Sequence, residues 1–411
     1  MPSPQTFVIV GAGLAGAKAA ETLRAEGFEG RVLLLGEEPV RPYERPPLSK
    51  EYLRGEKGFD QAAVHDADFY ETHNIELRTG AAVLELDLGS REVVTASKER
   101  AHFDRLLLAT GTVPRQLTVP GAELDGVFYL RTVADADALR SAITKSTRVV
   151  VIGAGWIGSE VAASARQLGA DVSIVELASL PLERALGPEV GAVYRDLHAA
   201  HGVDLHLTVG VANLEGGSAV ERVRLSDGTV LPADIVVVGI GVVPRDELAR
   251  TAGIPLDNGV AVDAQLATAV PGVYAAGDVA NAFHPLYGNR VRLEHWSAAL
   301  NQGPVAAKNM LGQAINYERM PYFFSDQYDM GMEYRGWAPH FERVVFRGDP
   351  KSFQFLAFWL QDQTVVAAMN ANIWDMGDTL EALLRARRRV DPVQLADPDI
   401  DLADLADLAK N

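Results

Sequence analysis

Two stretches of the chain place glycines where a phosphate could reach the backbone. Val8 to Gly16 reads VIVGAGLAG, with Gly11, Gly13 and Gly16 at GxGxxG spacing. From Arg148 the chain begins again with RVVVIGAGWIGSE, and Gly153, Gly155 and Gly158 repeat that spacing around Trp156 and Ile157. The first glycine of each set permits a tight turn out of a strand. The second lets backbone amides approach a pyrophosphate, and the third lets a helix pack close to the strand. The helix N-terminus then points its positive end at the anion. A lone GxGxxG is weak evidence, because glycine-rich turns are common. The signal is sharper where an acid ends the next strand, since a carboxylate there accepts from both hydroxyls of a ribose. Glu37 and Glu176 stand at those places.

The surrounding elements have to hold these loops. Apolar Val8 to Val10 reads as a buried strand, Leu14 to Arg24 as a helix, and Arg31 to Leu35 as the next strand. In the second copy the helix runs to about Leu168, Gly169 caps it, and Val172 to Val175 is the strand before Glu176. The repetition predicts two dinucleotide-binding units. Other buried strands also end in small residues. Leu106 to Ala109 runs into Thr110 and Gly111, DIVVVGIGVVPR ends in glycines including Gly241, and Gly272 to Ala276 runs into Gly277 and Asp278. Ligands bind at such carboxyl ends in open α/β sheets. Asp278 is a candidate acceptor for sugar hydroxyls, with the N-cap of a helix as its plainer role.

Composition narrows the classes. The chain has 411 residues, a net charge of −17 and no cysteine. The first argues for two or three domains and the second against general nucleic-acid binding. The third excludes disulfides, thiolate zinc sites, Cys-ligated clusters and thiol catalysis, and no metal site is expected. Phe7 to Ala20 is apolar, but MPSPQT before it carries no Lys or Arg and glycines interrupt it. No apolar run is long enough to span a membrane. A cytoplasmic protein is expected.

Between the loops, PVRPYERPPLSKEYL (residues 39–53) brings Arg41, Arg45 and Lys50 close after the first unit. Val83 opens the strand VLELDL, Arg131 follows an apolar run, and Glu294-His295-Trp296 precedes a helix of small residues. From 322 to 370 aromatic-rich alternating segments predict an antiparallel sheet, with a helix from Trp374 to Arg388 against it. Four arginines between Arg385 and Arg389 read as a helix C-terminal cap, and the acidic tail from Asp391 as a solvated end.

In order, GAGLAG, RPYERPPLSK, LLLATGTVP, GAGWIGSE, GIGVVPR, VYAAGDVA and the aromatic C-terminal unit resemble the FAD-dependent NADH:ferredoxin reductases of bacterial cytochrome P450 and ring-hydroxylating dioxygenase systems. These are related to apoptosis-inducing factor and glutathione reductase. The resemblance covers nearly the whole chain. It implies an α/β fold with two dinucleotide-binding (Rossmann-like) domains of glutathione-reductase type plus a C-terminal α+β domain. The implied boundaries are 1–113 with 246–319 for FAD, 114–245 for NAD, and 320–411 for the last domain. It also implies FAD contacts at Ala15, Glu37, Arg45, Lys50, Val83, Arg131, Asp278 and Trp296. NAD contacts are implied at the second glycine loop, Glu160, Glu176, Arg184 and Gly241.

The implied activity is electron transfer from NADH through FAD to an iron–sulfur ferredoxin, with no nucleic acid and no membrane as partner. Reduction of a small organic acceptor such as a quinone or monodehydroascorbate, or an apoptosis-inducing-factor-like binding role, are the alternatives. Related disulfide reductases carry a redox cysteine pair before the flavin-proximal lysine, where this chain has ERPPLSK. By the resemblance, Lys50 and Glu160 form an ion pair at the flavin and Trp156 gates the nicotinamide. Helix packing is the other reading of Trp156. Glu176 predicts preference for NADH, because a 2′-phosphate would meet its charge. Arg290 and Arg292, just before Trp296, are candidate contacts for an acidic ferredoxin.

Overall fold

A computed structural model describes residues 5–407. The chain resolves into two compact units, residues 5–45, 58–113 and 242–319 in the first, and 46–57, 114–241 and 320–407 in the second. Residues 46–57, expected within the first dinucleotide domain, thus cluster with the second unit.

The first unit is built on five parallel strands in the order Val273–Ala275, Arg105–Leu108, Thr6–Val10, Arg31–Leu35 and Ile75–Arg78. Their continuous apolar runs follow from burial on both faces. Helix Leu14–Ala25 covers the sheet and packs on helix Trp296–Met310. A Cβ at Gly303 would lie 2.3 Å from the Ala15 carbonyl oxygen, so the two helices touch backbone to backbone. Small buried residues (Ala15, Ala19, Ala306, Ala307) line that face.

The second unit repeats the plan. Its parallel order is Asp204–Leu207, Asp171–Glu176, Arg148–Ile152, Ile235–Val238 and Val127–Tyr129. In both sheets the glycine-loop strand is central and its neighbours are reached in opposite directions. That arrangement opens a crevice at the carboxyl ends.

The same unit carries an antiparallel sheet in the order Tyr322–Gln327, Met330–Gly336, Thr364–Ala371, Gln354–Gln361 and Arg343–Asp349. Helix Glu183–Ala200 lies against it, sharing a core with Tyr194, Leu197, Met332, Phe355 and Trp359. The Trp359 indole N–H donates to the Leu186 carbonyl at 2.9 Å, which satisfies the one polar atom of the largest buried side chain. Helix Gly377–Ala386 starts later than expected, and Arg387 at its end is left-handed, with φ 48°. The tail departs from expectation. Short helices Pro392–Ala396 and Leu402–Asp407 bury Leu395, Leu402 and Leu405. Apolar residues spaced among the acids provide the packing face. Among the described residues no helix is long and apolar enough to cross a membrane.

His198 of helix Glu183–Ala200 is fully buried, with Nδ1 3.2 Å from the Tyr328 hydroxyl. Burial pushes its pKa down to about 4. The folded value therefore lies below the unfolded one near 6.5, and the folded state refuses a proton that the unfolded state takes. This contribution is complete above about pH 6.5 and is lost as pH falls towards 4, by up to about 3 kcal/mol. Urea midpoints measured from pH 7 to pH 4 should fall more steeply for the wild type than for His198→Gln.

Candidate functional site

At the first loop the three glycines do different work. Gly11 has φ +111°, and a Cβ there would lie 2.1 Å from the Ala109 carbonyl oxygen. A Cβ at Gly16 would lie 2.0 Å from the Gly11 carbonyl oxygen, so only hydrogen fits between helix and turn. At Gly13 a Cβ would meet nothing within 4 Å. The loop is closed on its protein side and open on its outer side, at the N-terminus of a twelve-residue helix. That shape fits a pyrophosphate.

Adjacent strand ends complete the cradle. Val10, Leu108 and Ala275 are in register, so Gly11, the Ala109–Gly111 turn and Gly277–Asp278 leave the sheet side by side. The Gly277 amide donates to buried Gln302 at 2.8 Å, and Thr112 donates to Asp278 at 3.1 Å. Beyond the neighbouring strand, Glu37 pairs with Arg245, which holds its carboxyl below the ordinary range. Arg245 is itself anchored, its amide on Gly111 at 2.9 Å and its carbonyl on the Thr110 hydroxyl at 2.6 Å. Arg45 donates to Glu38 at 2.9 Å. Burial opposes its charge, but Tyr43, Glu38 and Asp278 outweigh that and raise its pKa.

The second loop has the same geometry. Gly153 has φ +98° with the Gly239 carbonyl 2.5 Å from a Cβ, and Gly158 would meet the Gly153 carbonyl at 2.0 Å. Gly155 is open, with its nearest neighbour at 3.9 Å. Glu176 accepts from the Ala154 amide at 2.6 Å and the Ala178 amide at 2.8 Å, which fixes the carboxylate at the strand end. Gly241 and Arg184 are exposed, and Ile157 projects from the first helical turn.

One turn further along this helix, Glu160 meets Lys50. Lys50 Nζ lies 2.7 Å from Glu160 Oε2, and both residues are 4% exposed. Lys50 directly follows a 3-10 turn, Pro46–Ser49. Nζ also donates to the Pro46 carbonyl at 3.2 Å and lies 5.7 Å from the Phe324 ring centre. Removing one member of such a pair leaves an uncompensated charge, at a cost of about 3–5 kcal/mol.

Other expected residues fall into place unevenly. Ala15, Val83 and Trp296 belong to the first unit, and Ala15 and Val83 join its core. Lys50 and Arg131, expected at the first dinucleotide, belong to the second. The Trp156 ring centre lies 4.7 Å from that of Phe323 and 6.3 Å from that of Tyr194, and the half-buried indole packs edge-on against both. Arg290 lies at the surface, whereas Arg292 is largely covered. Arg292 is 12% exposed and bonds Glu294 at 2.6 Å, while Arg290 donates to the carbonyls of Val262 and Asn281. Sequence reasoning missed Arg245, Gln302, Ser49 and Ser325. Ser49 adjoins Lys50 and could have been read from PPLSK, and Arg245 ends the GIGVVPR stretch, but nothing local marks Gln302 or Ser325.

Fold and site thus define a two-dinucleotide oxidoreductase framework with a C-terminal sheet. Residues 5–303 match the pyridine nucleotide-disulphide oxidoreductase family, and residues 322–406 match the reductase C-terminal family. The chain belongs to the pyridine nucleotide-disulphide oxidoreductase family. It is 40% identical to the anthranilate 1,2-dioxygenase system ferredoxin–NAD(+) reductase component of Burkholderia cepacia, over 97% of this chain and 99% of the relative. It is 35% identical to putidaredoxin reductase of Pseudomonas putida, over 100% of this chain and 99% of the relative. The reductase in the covalent putidaredoxin reductase–putidaredoxin complex superimposes with a TM-score of 0.94, at 35% identity and 99% coverage of both chains.

The glycines make a sharp test. Gly13→Val should fold with a melting temperature near that of wild-type apoprotein, because its Cβ meets nothing, yet purify with little flavin. Gly16→Ala should lose both, because the clash is with backbone. Flavin absorbance per mole of protein and thermal melting separate the two.

Proposed function

We propose that this protein is an FAD-dependent NADH:ferredoxin reductase of the cytoplasm, serving a cytochrome P450 or ring-hydroxylating dioxygenase. The supporting observation is two complete phosphate cradles in a chain without cysteine, with a buried lysine–glutamate pair in place of a disulfide relay. The protein uses FAD and NAD(H). FAD, when bound, takes a hydride from NADH and returns single electrons to a one-electron acceptor. The residues 1–113 and 246–319 are assigned to the FAD domain, 114–245 to the NAD domain, and 320–411 to the C-terminal domain.

Each residue has a defined task in this reading. Gly11, Gly13 and Gly16 hold the FAD pyrophosphate with Ala15, while Glu37 takes its ribose and Asp278 its sugar chain. Arg45, Val83, Ala109, Thr110, Gly111, Arg131, Gly277 and Trp296 complete the FAD contacts. Gly153, Gly155, Trp156, Ile157 and Gly158 receive the NADH pyrophosphate, and Glu176, Arg184 and Gly241 its adenosine end. Glu176 is held by two backbone amides, so it cannot turn away from a 2′-phosphate. Lys50 supplies a fixed positive charge and Glu160 keeps it in place.

Anaerobic stopped-flow reduction tests this reading. The kcat/KM for NADH should exceed that for NADPH by roughly tenfold or more, about 1.4 kcal/mol of discrimination. An iron–sulfur ferredoxin should be reduced faster than a quinone or the monodehydroascorbate radical at equal concentration. Faster turnover with the organic acceptors would transfer the assignment to them. Lys50→Met should retain FAD and slow flavin reduction at least tenfold, and an unchanged rate would remove the pair from the chemistry.

A further inference from the structure

Glu160 is held by more than its lysine. Its Oε2 accepts from Lys50 Nζ at 2.7 Å and from Ser49 Oγ at 2.5 Å. Its Oε1 accepts from Ser325 Oγ at 2.7 Å. Ser49 adjoins Lys50, and its backbone carbonyl is fixed by the Ser164 hydroxyl at 2.6 Å. Ser325 comes from elsewhere, on strand Tyr322–Gln327 of the C-terminal sheet. Strand alternation turns Ser325 and Gln327 inward and Asp326 outward, and Ser325 is 1% exposed. Gln327 Nε2 donates to Ser325 Oγ at 3.3 Å, which leaves the serine hydrogen for Glu160.

We infer that Ser325 is a positioning residue for the Lys50–Glu160 pair, so that the C-terminal sheet completes the site where NADH reacts. A carboxylate gripped through one oxygen can rotate about its terminal bond. Gripped through both, its plane is set, and the lysine on Oε2 is set with it. Ser325 is the donor on Oε1 among the described residues. Its loss frees the rotation and strands a buried acceptor. Every contact to Glu160 in this group is a donor, so the side chain serves only as acceptor there. The inference rests on the role given above to the pair.

The test is a double-mutant cycle on the flavin-loaded enzyme, combining Ser325→Ala with Glu160→Ala, with Ser325→Thr as rescue. Three quantities are read: the rate of flavin reduction by NADH, the midpoint potential of the bound flavin, and NAD⁺ affinity by calorimetry. Ser325→Ala should slow reduction roughly fivefold to tenfold and shift the potential, with NAD⁺ affinity within about twofold of wild type. Ser325→Thr, which keeps the hydroxyl, should restore both. In the Glu160→Ala background, Ser325→Ala should add nothing. A wild-type rate in Ser325→Ala, failure of Thr to rescue, or multiplicative effects in the cycle would each overturn the inference. If Glu160→Ala alone leaves reduction unchanged, the role of the pair falls, and that result is distinct from multiplicative effects. Should Glu160→Ala not retain flavin, the Ala and Thr variants at 325 decide the matter alone.

Discussion

At two places in this molecule a helix starts so close to the strand before it that only a hydrogen atom fits between them. The contacts of Gly16 on the Gly11 carbonyl and Gly158 on the Gly153 carbonyl set the approach. Close approach brings the positive end of each helix over the crest of its sheet, where neighbouring strands end in small residues. The rest of the architecture follows. Strands must be buried on both faces, so they are apolar throughout, and the helix facing Leu14–Ala25 must be rich in alanine and glycine. The anion-binding shape is thus a by-product of packing, with the open glycine of each loop left as its entrance.

The buried pair obeys a different constraint. A lysine and a glutamate removed from water need every polar atom partnered, because the low local dielectric penalises any that is left. Lys50 finds Glu160 and the Pro46 carbonyl, and Glu160 finds two serines as well. Three separate stretches of chain meet there. A site assembled in this way is stiff, and it holds the lysine charge in one position.

The glycine loops, the acids after the second strands and the two parallel sheets were legible in the chain because each is a local pattern. Strand, turn, helix and acid lie within about 30 residues. The strand ends at Thr110, Gly241 and Gly277 could be read because small residues mark them. The acidic tail was misread because charge dominates its composition, whereas Leu395, Leu402 and Leu405 decide its packing. Arg290 and Arg292 were legible as neighbouring cations, but a sequence does not show which of their donors the fold engages.

What the sequence determined alone is the pair of phosphate cradles, since a glycine spacing encodes a backbone shape without help from distant residues. What only the tertiary structure decided is which side chains meet across long separations. Glu37 finds Arg245, 208 residues away, and Glu160 finds Ser325, 165 away. Nothing local names the partner of either, because partnership there depends on where distant segments place two atoms. The physical reason is that hydrogen bonds act over about 3 Å of space and take no account of distance along the chain.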